Sequence, residues 1–259
     1  MKDLRFDYSE LWDASENGDL ATVRALLAIQ DIRDRAATED NLLLRVAAEN
    51  GHIEVVHELL GIPLVQNNAA ALGGAALIVA AKNGHIVVVN KLLEIHAVRM
   101  HAADYSNTAL TLALENGHLD VVHRLLEIQV VQDNAAAKEN HALVVAAQNG
   151  HLAIVKKLLT VPNVKATARD LDDDLIRESA DRGYSEIVYR LVKAKWPEGG
   201  IHGIPEEMRE HVRPQIAIAQ AGLFWNKILR NMAFTEMDHL GPAGNINEHV
   251  TGSPEMVLR

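Results

Sequence analysis

Apolar residues recur along the chain in two helical patterns that alternate and repeat at the constant spacing of Gly18, Gly51, Gly84, Gly117, Gly150 and Gly183, without one insertion. Before each of these glycines, a Leu or Ile seven positions upstream and an Ala or Ser four positions upstream share one helical face. After the Gly, the apolar positions at +2, +5, +8 and +9 again follow a period near 3.6. The pattern predicts six units in register, each of two amphipathic helices. The expected core columns run through Leu11, Leu44, Leu77, Leu110, Leu143 and Ile176, and through Leu26, Leu59, Leu92, Leu125, Leu158 and Leu191. Asn precedes the Gly in five of the six units, so the pair is placed as a helix stop that tolerates the left-handed conformation.

The segments between units are Ala-rich, as in "VQNNAAALGGAAL" (65–77) and "VQDNAAAKENHAL" (131–143). They predict short capped helical turns led by Asn68 or Asn134, with Asn41, Asn107, Asn140 and Asp173 capping the next helix. The first unit, 8–27, carries polar substitutions suited to a solvent-facing end, and the sixth, 174–192, is more charged. From Lys195 the period breaks at "KWPEGGIHGIPEE", with two Pro and three Gly, which marks a connection. Beyond it, 213–222 and 223–232 read either as a degenerate seventh helix–turn–helix around Gly222 or as a separate helical cap, with Phe224, Trp225, Ile228 and Leu229 covering the last repeat. The expected organisation is a solenoid over 1–193, a helical C-terminal part over 194–240 and a mobile tail over 241–259.

With this period and the recurring phrase "ALxxAAxNGHLxVVxxLL", the stretch from Tyr8 to Lys193 resembles the ankyrin repeat family. The resemblance implies an all-α stack whose concave face and junction tips bind a partner protein, without catalytic residues. One departure is clear: the family's Thr-Pro-Leu-His opening is largely lost, with only Thr108 and the Leu column kept, and little of the Asp and Gly that shape its β-hairpin finger remains. The fingers are therefore expected to be helical or turn-like, with little β structure. The phrase "LLEIxxVxxNAAAxxNxAL" also resembles ankyrin repeats of effectors that intracellular bacteria inject into host cells.

Composition narrows the function. Aromatics are 4% and cysteines are absent, so the core is aliphatic and no disulfide, zinc–thiolate site or thiol nucleophile is available. The net charge of −10, most of it in the repeats, argues against nucleic acid and favours a partner with a basic face. No run reaches the ~18 apolar residues of a membrane span. The expectation is a monomer of the cytoplasm, or one carried into the cytoplasm of a host whose protein it binds.

Candidate chemistry is sparse. His52, His85, His118 and His151 follow the corner Gly, but at one per unit, ~10 Å apart, they are too far apart to share a metal, and turn histidines bonded to backbone are expected. "DLDDD" (170–174) lacks the spacing of a calcium loop and reads as a solvated acidic junction. His202, His211, Asp238 and His239 leave one alternative open, an enzyme whose site lies in the C-terminal segment 193–259, positioned by the repeats. No catalytic, metal or cofactor residues are assigned. Binding residues are sought where side chains vary between units while the core columns stay fixed. These are Leu72, Asp104, Tyr105, Lys138 and Leu171 at the tips, and Arg45, Ile78, Thr111, Val144 and Arg177 on the first helices. Tyr105 leads the set, because a tip tyrosine supplies contact area at little entropic cost.

Overall fold

The computed structural model describes residues 4–198 and 203–238, with the side chains of 8–198 and 203–224. The first helix, α1 (Leu4–Asn17), turns at Gly18 into α2 (Leu20–Leu27), and a short α3 (Gln30–Arg33) leads to the next pair, α4 (Thr38–Glu49) and α5 (Ile53–Leu60). The triplet recurs as α6 (Pro63–Asn67), α7 (Ala71–Lys82) and α8 (Ile86–Leu93), then α9 (His96–Met100), α10 (Asp104–Glu115) and α11 (Leu119–Leu125). It continues with α12 (Gln129–Asp133), α13 (Ala137–Gln148) and α14 (Leu152–Leu158), and with α15 (Pro162–Thr167), a 3₁₀ turn (Ala168–Asp170), α16 (Asp173–Asp181) and α17 (Ser185–Lys195). A long α18 (Glu206–Asp238) follows. No strand occurs among the described residues.

Successive units stack in two rows. The first helices contact one another in the order α1, α4, α7, α10, α13, α16, and the second helices in the order α2, α5, α8, α11, α14, α17. This is the all-α helical solenoid expected from the period. The columns read from the sequence are its core: Leu44, Leu110, Leu143, Ile176, Leu59, Leu92, Leu125, Leu158 and Leu191 are all 0% exposed. Each such Leu contributes about 1.5–3 kcal/mol by leaving water, so the stack is held chiefly by aliphatic burial between neighbours.

The corners explain the His column. His52 donates through Nε2 to the carbonyl of Glu16 at 2.8 Å, and His85 likewise to Glu49 at 2.9 Å, so each ring bridges back to the preceding unit. These two are backbone-bonded turn histidines as the spacing implied, whereas the rings of His118 and His151 make no such bond among the described residues. Each of the two bonded rings also lies directly over the preceding corner: a Cβ on Gly51 would meet His85 Nδ1 at 2.6 Å.

The fingers carry a core column of their own. Ile32, Val65, Val98, Val131 and Val164, one per unit at the same spacing as the corner glycines, are at most 2% exposed, and Ala36, Ala69, Ala102, Ala135 and Ala168 at most 3%. Asn68 and Asn134 do not lead the turns: they close α6 and α12 as C-caps. Three consecutive left-handed residues then open the first helix of each of four units: 39–41, 72–74, 105–107 and 138–140, with φ between 50 and 76°.

Asn41, Asn107 and Asn140 do not cap helices. Each is 2% exposed, and its amide donates forward into the next finger, to Val65 O (2.8 Å), Val131 O (3.0 Å) and Thr167 O (3.2 Å). Asn tolerates the left-handed region better than other non-glycine residues, and its amide satisfies a buried carbonyl there. Gly74 fills the same position without a side chain. In the sixth unit the cap of α16 is Asp172, which accepts from Asp174 N at 3.0 Å, rather than Asp173.

At the C-terminal end α18 runs unbroken through Gly222, so no helix–turn–helix forms there. It contacts α16 and α17, and Met208, Val212, Ile216 and Ala219 are buried along one stripe of it at 0–6% exposure. Phe224, expected to cover the last repeat, is 62% exposed. The side chains of Trp225, Ile228 and Leu229, and all of the segment 241–259, lie outside the described residues.

Candidate protein-binding face

The left-handed triplets position the tip residues. Leu72, Tyr105 and Lys138 occupy the first place in their triplets, with φ of 50, 52 and 50°, as does Glu39 at 53°. A non-glycine residue there costs of order 1–3 kcal/mol, which the surrounding packing must offset. The result is a row of side chains, one per finger, aimed by the backbone. Tyr105 is 62% exposed and Leu72 46%. Tyr105 is also held from behind, since its ring lies against Gly73 of the preceding finger, where a Cβ would meet Cε2 at 2.6 Å. Asp104 sits beside it, 2.8 Å from His101 Nδ1.

The second row lies on the first helices. Arg45, Ile78, Thr111, Val144 and Arg177 are all half-buried and stand at matching positions of successive units. Arg45 donates to Glu39 O at 3.3 Å, while its Nε is buried without a partner. Arg177 pairs with Asp174 at 3.1 Å. Leu171 is the exception among the ten residues: it is 4% exposed, so its side chain cannot present itself at a tip. The triplet pattern stops before it. The 3₁₀ turn of 168–170 brings Leu171 in with φ −59°, and Lys195 Nζ bonds both its carbonyl and Asp173 Oδ1.

Around Val144 and Leu171 the structure assembles a groove of about 440 Å³ that also takes in Gln148 and Leu175. Its carboxylates are Glu139, Asp170, Asp172, Asp174 and Glu178. Glu178 is tied to Gln148 (3.0 Å) and Arg182 (2.7 Å), and Asp174 to Arg177, which leaves Glu139, Asp170 and Asp172 without an ion pair among the described residues. The sequence shows "DLDDD" plainly. It does not show that Glu139 and Glu178, from the neighbouring finger and helix, complete an acidic basin with it. Among the described residues no group of three His, Asp or Glu is placed to hold a metal ion.

His211, one of the residues on which the enzyme alternative rests, pairs with Asp181 at 2.7 Å on an exposed surface, joining α18 to α16. His202 and His239 lie outside the described residues. No helix among the described residues is long and apolar enough to cross a membrane.

Stacked helix pairs with buried periodic columns and a projecting finger per unit define a repeat-type interaction module. The family model for ankyrin repeats (3 copies) matches residues 11–104 and 77–170, and the chain belongs to that family. Ankyrin repeats are protein–protein interaction modules, typically non-enzymatic. Among solved structures, an ankyrin repeat family protein from Legionella pneumophila is similar at 17% identity, over 77% of this chain and 74% of that one, with a TM-score of 0.35. No curated protein matches the chain.

Proposed function

We propose that the protein binds a partner protein through the finger row and the exposed face of its first helices, and that a basic segment of the partner enters the acidic groove between the last two units. The observation that carries this reading is the groove itself: five carboxylates from two units converge beside Val144, at the end of a row of rigidly aimed tips. Leu72, Tyr105 and Lys138 supply anchoring area and Asp104 a polar contact, while Arg45, Ile78, Thr111 and Arg177 line the approach. Leu171 serves as floor. The α18 helix acts as the C-terminal cap of the stack.

The setting we propose is a bacterial effector acting as a monomer in the cytoplasm of a host cell, on the strength of the resemblance carried by the "LLEI" and "NAAA" phrases. A translocation reporter fused to the chain tests that part. The binding reading is tested by affinity capture from eukaryotic lysate with the intact chain, with Asp104→Ala/Tyr105→Ala and with Asp170→Asn/Asp172→Asn. A protein retained by the intact chain, reduced by each double variant and released by salt, is the expected result. Equal retention by all three chains overturns the face assignment.

A further inference from the structure

On the row of second helices, α14, α15 and α17 enclose a second cavity, of about 460 Å³, whose chemistry is the reverse of the acidic groove. Of its nine lining residues five are cationic, Lys156, Lys165, Arg169, Arg190 and Lys193, in a chain where 25 of 259 residues are Lys or Arg and the net charge is −10. Composition does not produce such a concentration. Leu159, Ala194 and Pro197 add an apolar wall. The volume lies within the ~300–1,000 Å³ of small-ligand sites, well below what a folded partner's surface would need.

The cations are unequally engaged. Lys156 and Arg190 share one oxygen of Glu186, at 2.7 and 3.2 Å. Burial pushes the Glu186 carboxyl up, but the hydrogen bonds and charges of Lys156 and Arg190 outweigh it and hold the group below the usual carboxylate range. Arg190 Nε remains buried without a hydrogen-bond partner. Lys165, Arg169 and Lys193 are exposed at the rim and have no carboxylate partner among the described residues. One carboxylate, Glu186, therefore pairs with two of the five cations, and the other three leave an excess of positive charge around the concavity. The equivalent positions one unit earlier are His123, Gln132, Ala136, Lys157 and Thr160, so the cluster belongs to this junction and not to the repeat pattern.

We propose that this cavity is a binding site for a multiply phosphorylated small molecule, either free or as the headgroup of a membrane lipid. Two or more phosphates match the number of unneutralised cations. The arginines supply planar forks for phosphate oxygens, the lysines supply point charges, and Leu159, Ala194 and Pro197 seat the carbon frame between the phosphates.

Isothermal titration of the full chain with tripolyphosphate is the test, with triglutamate as a carboxylate control. Saturable binding of tripolyphosphate, weakened at least about tenfold in Lys165→Gln/Lys193→Gln and unchanged in Lys82→Gln, is expected. Both rim lysines are exposed and unpaired, so the variant should melt like the parent. Flotation with phosphatidylcholine vesicles, with and without phosphatidylinositol 4,5-bisphosphate, separates the two sources. Lipid-dependent flotation competed by tripolyphosphate points to the headgroup, and titration heat without flotation to a free ligand. Absent tripolyphosphate binding, equal binding by the rim variant, or triglutamate binding as tight as tripolyphosphate overturns the proposal.

Discussion

Replacing Gly51 by Ala should destabilise the stack for two separable reasons. Gly51 has φ +77°, where an L-residue costs about 1–2 kcal/mol. An added Cβ would also lie 2.6 Å from His85 Nδ1, so the ring must move and its 2.9 Å bond to Glu49 O is lost, costing about 1 kcal/mol more. Together these cost about 2–3 kcal/mol. Gly117 is an internal control: its φ is +74°, but the nearest atom to its Cβ, His151 Cε1, is 3.7 Å away, so only the backbone penalty applies. Urea unfolding of Gly51→Ala, Gly117→Ala, His85→Ala and Gly51→Ala/His85→Ala measures both parts. The Gly51 change should cost about 1 kcal/mol more than the Gly117 change, and that excess should vanish in the His85→Ala background. Equal costs at the two glycines, or strict additivity with His85→Ala, would refute the bridging role of the histidine ring.

Other outcomes follow from the same contacts. Asn107→Ala should cost about 2–3 kcal/mol, because it strands Val131 O and leaves Ala in the left-handed region. Asn107→Gly should cost less, as Gly74 occupies that place in the preceding unit; urea melts of the pair decide it. Met208→Ala, at a side chain 0% exposed, should cost about 2–5 kcal/mol locally, seen as faster amide exchange in α18 before the central units; uniform exchange would argue that the helix is not a separately docking cap. Glu186→Gln should lower the melting temperature at pH 7. The carboxyl's folded-state pKa lies below its ordinary 4.5, so its contribution is present above that value and fades as pH falls through the folded-state one. The gap between parent and variant should therefore close in acid, and a pH-independent gap would contradict the pairing with Lys156 and Arg190.

Much of the architecture is written in one dimension. The constant interval from Gly18 to Gly183, the Leu columns and the Asn-Gly corners fix a two-helix unit and its stacking, because each unit has an apolar face that only its neighbour can cover. The loss of the hairpin residues likewise indicates helical fingers. A further column, Ile32 to Val164, stands at the same spacing and marks the finger core, though in the sequence its Ala-rich surroundings read as helix propensity and not as burial.

What the sequence could not supply were the contacts between units. Asn41, Asn107 and Asn140 look like helix caps by position, yet they serve carbonyls 24 to 27 residues ahead, a partner chosen by stacking. Leu171 falls on the tip row by count, but the 3₁₀ turn and the Lys195 bonds bury it. Gly222 reads as a corner by its neighbours, but the helix continues through it. The acidic groove and the basic cavity each gather charges from neighbouring units into one concavity. Local periodicity, set by which residues can face a core, therefore determined the repeating unit. Which polar groups meet across the junctions was decided only when the units stacked, since those distances depend on tertiary register and not on spacing along the chain.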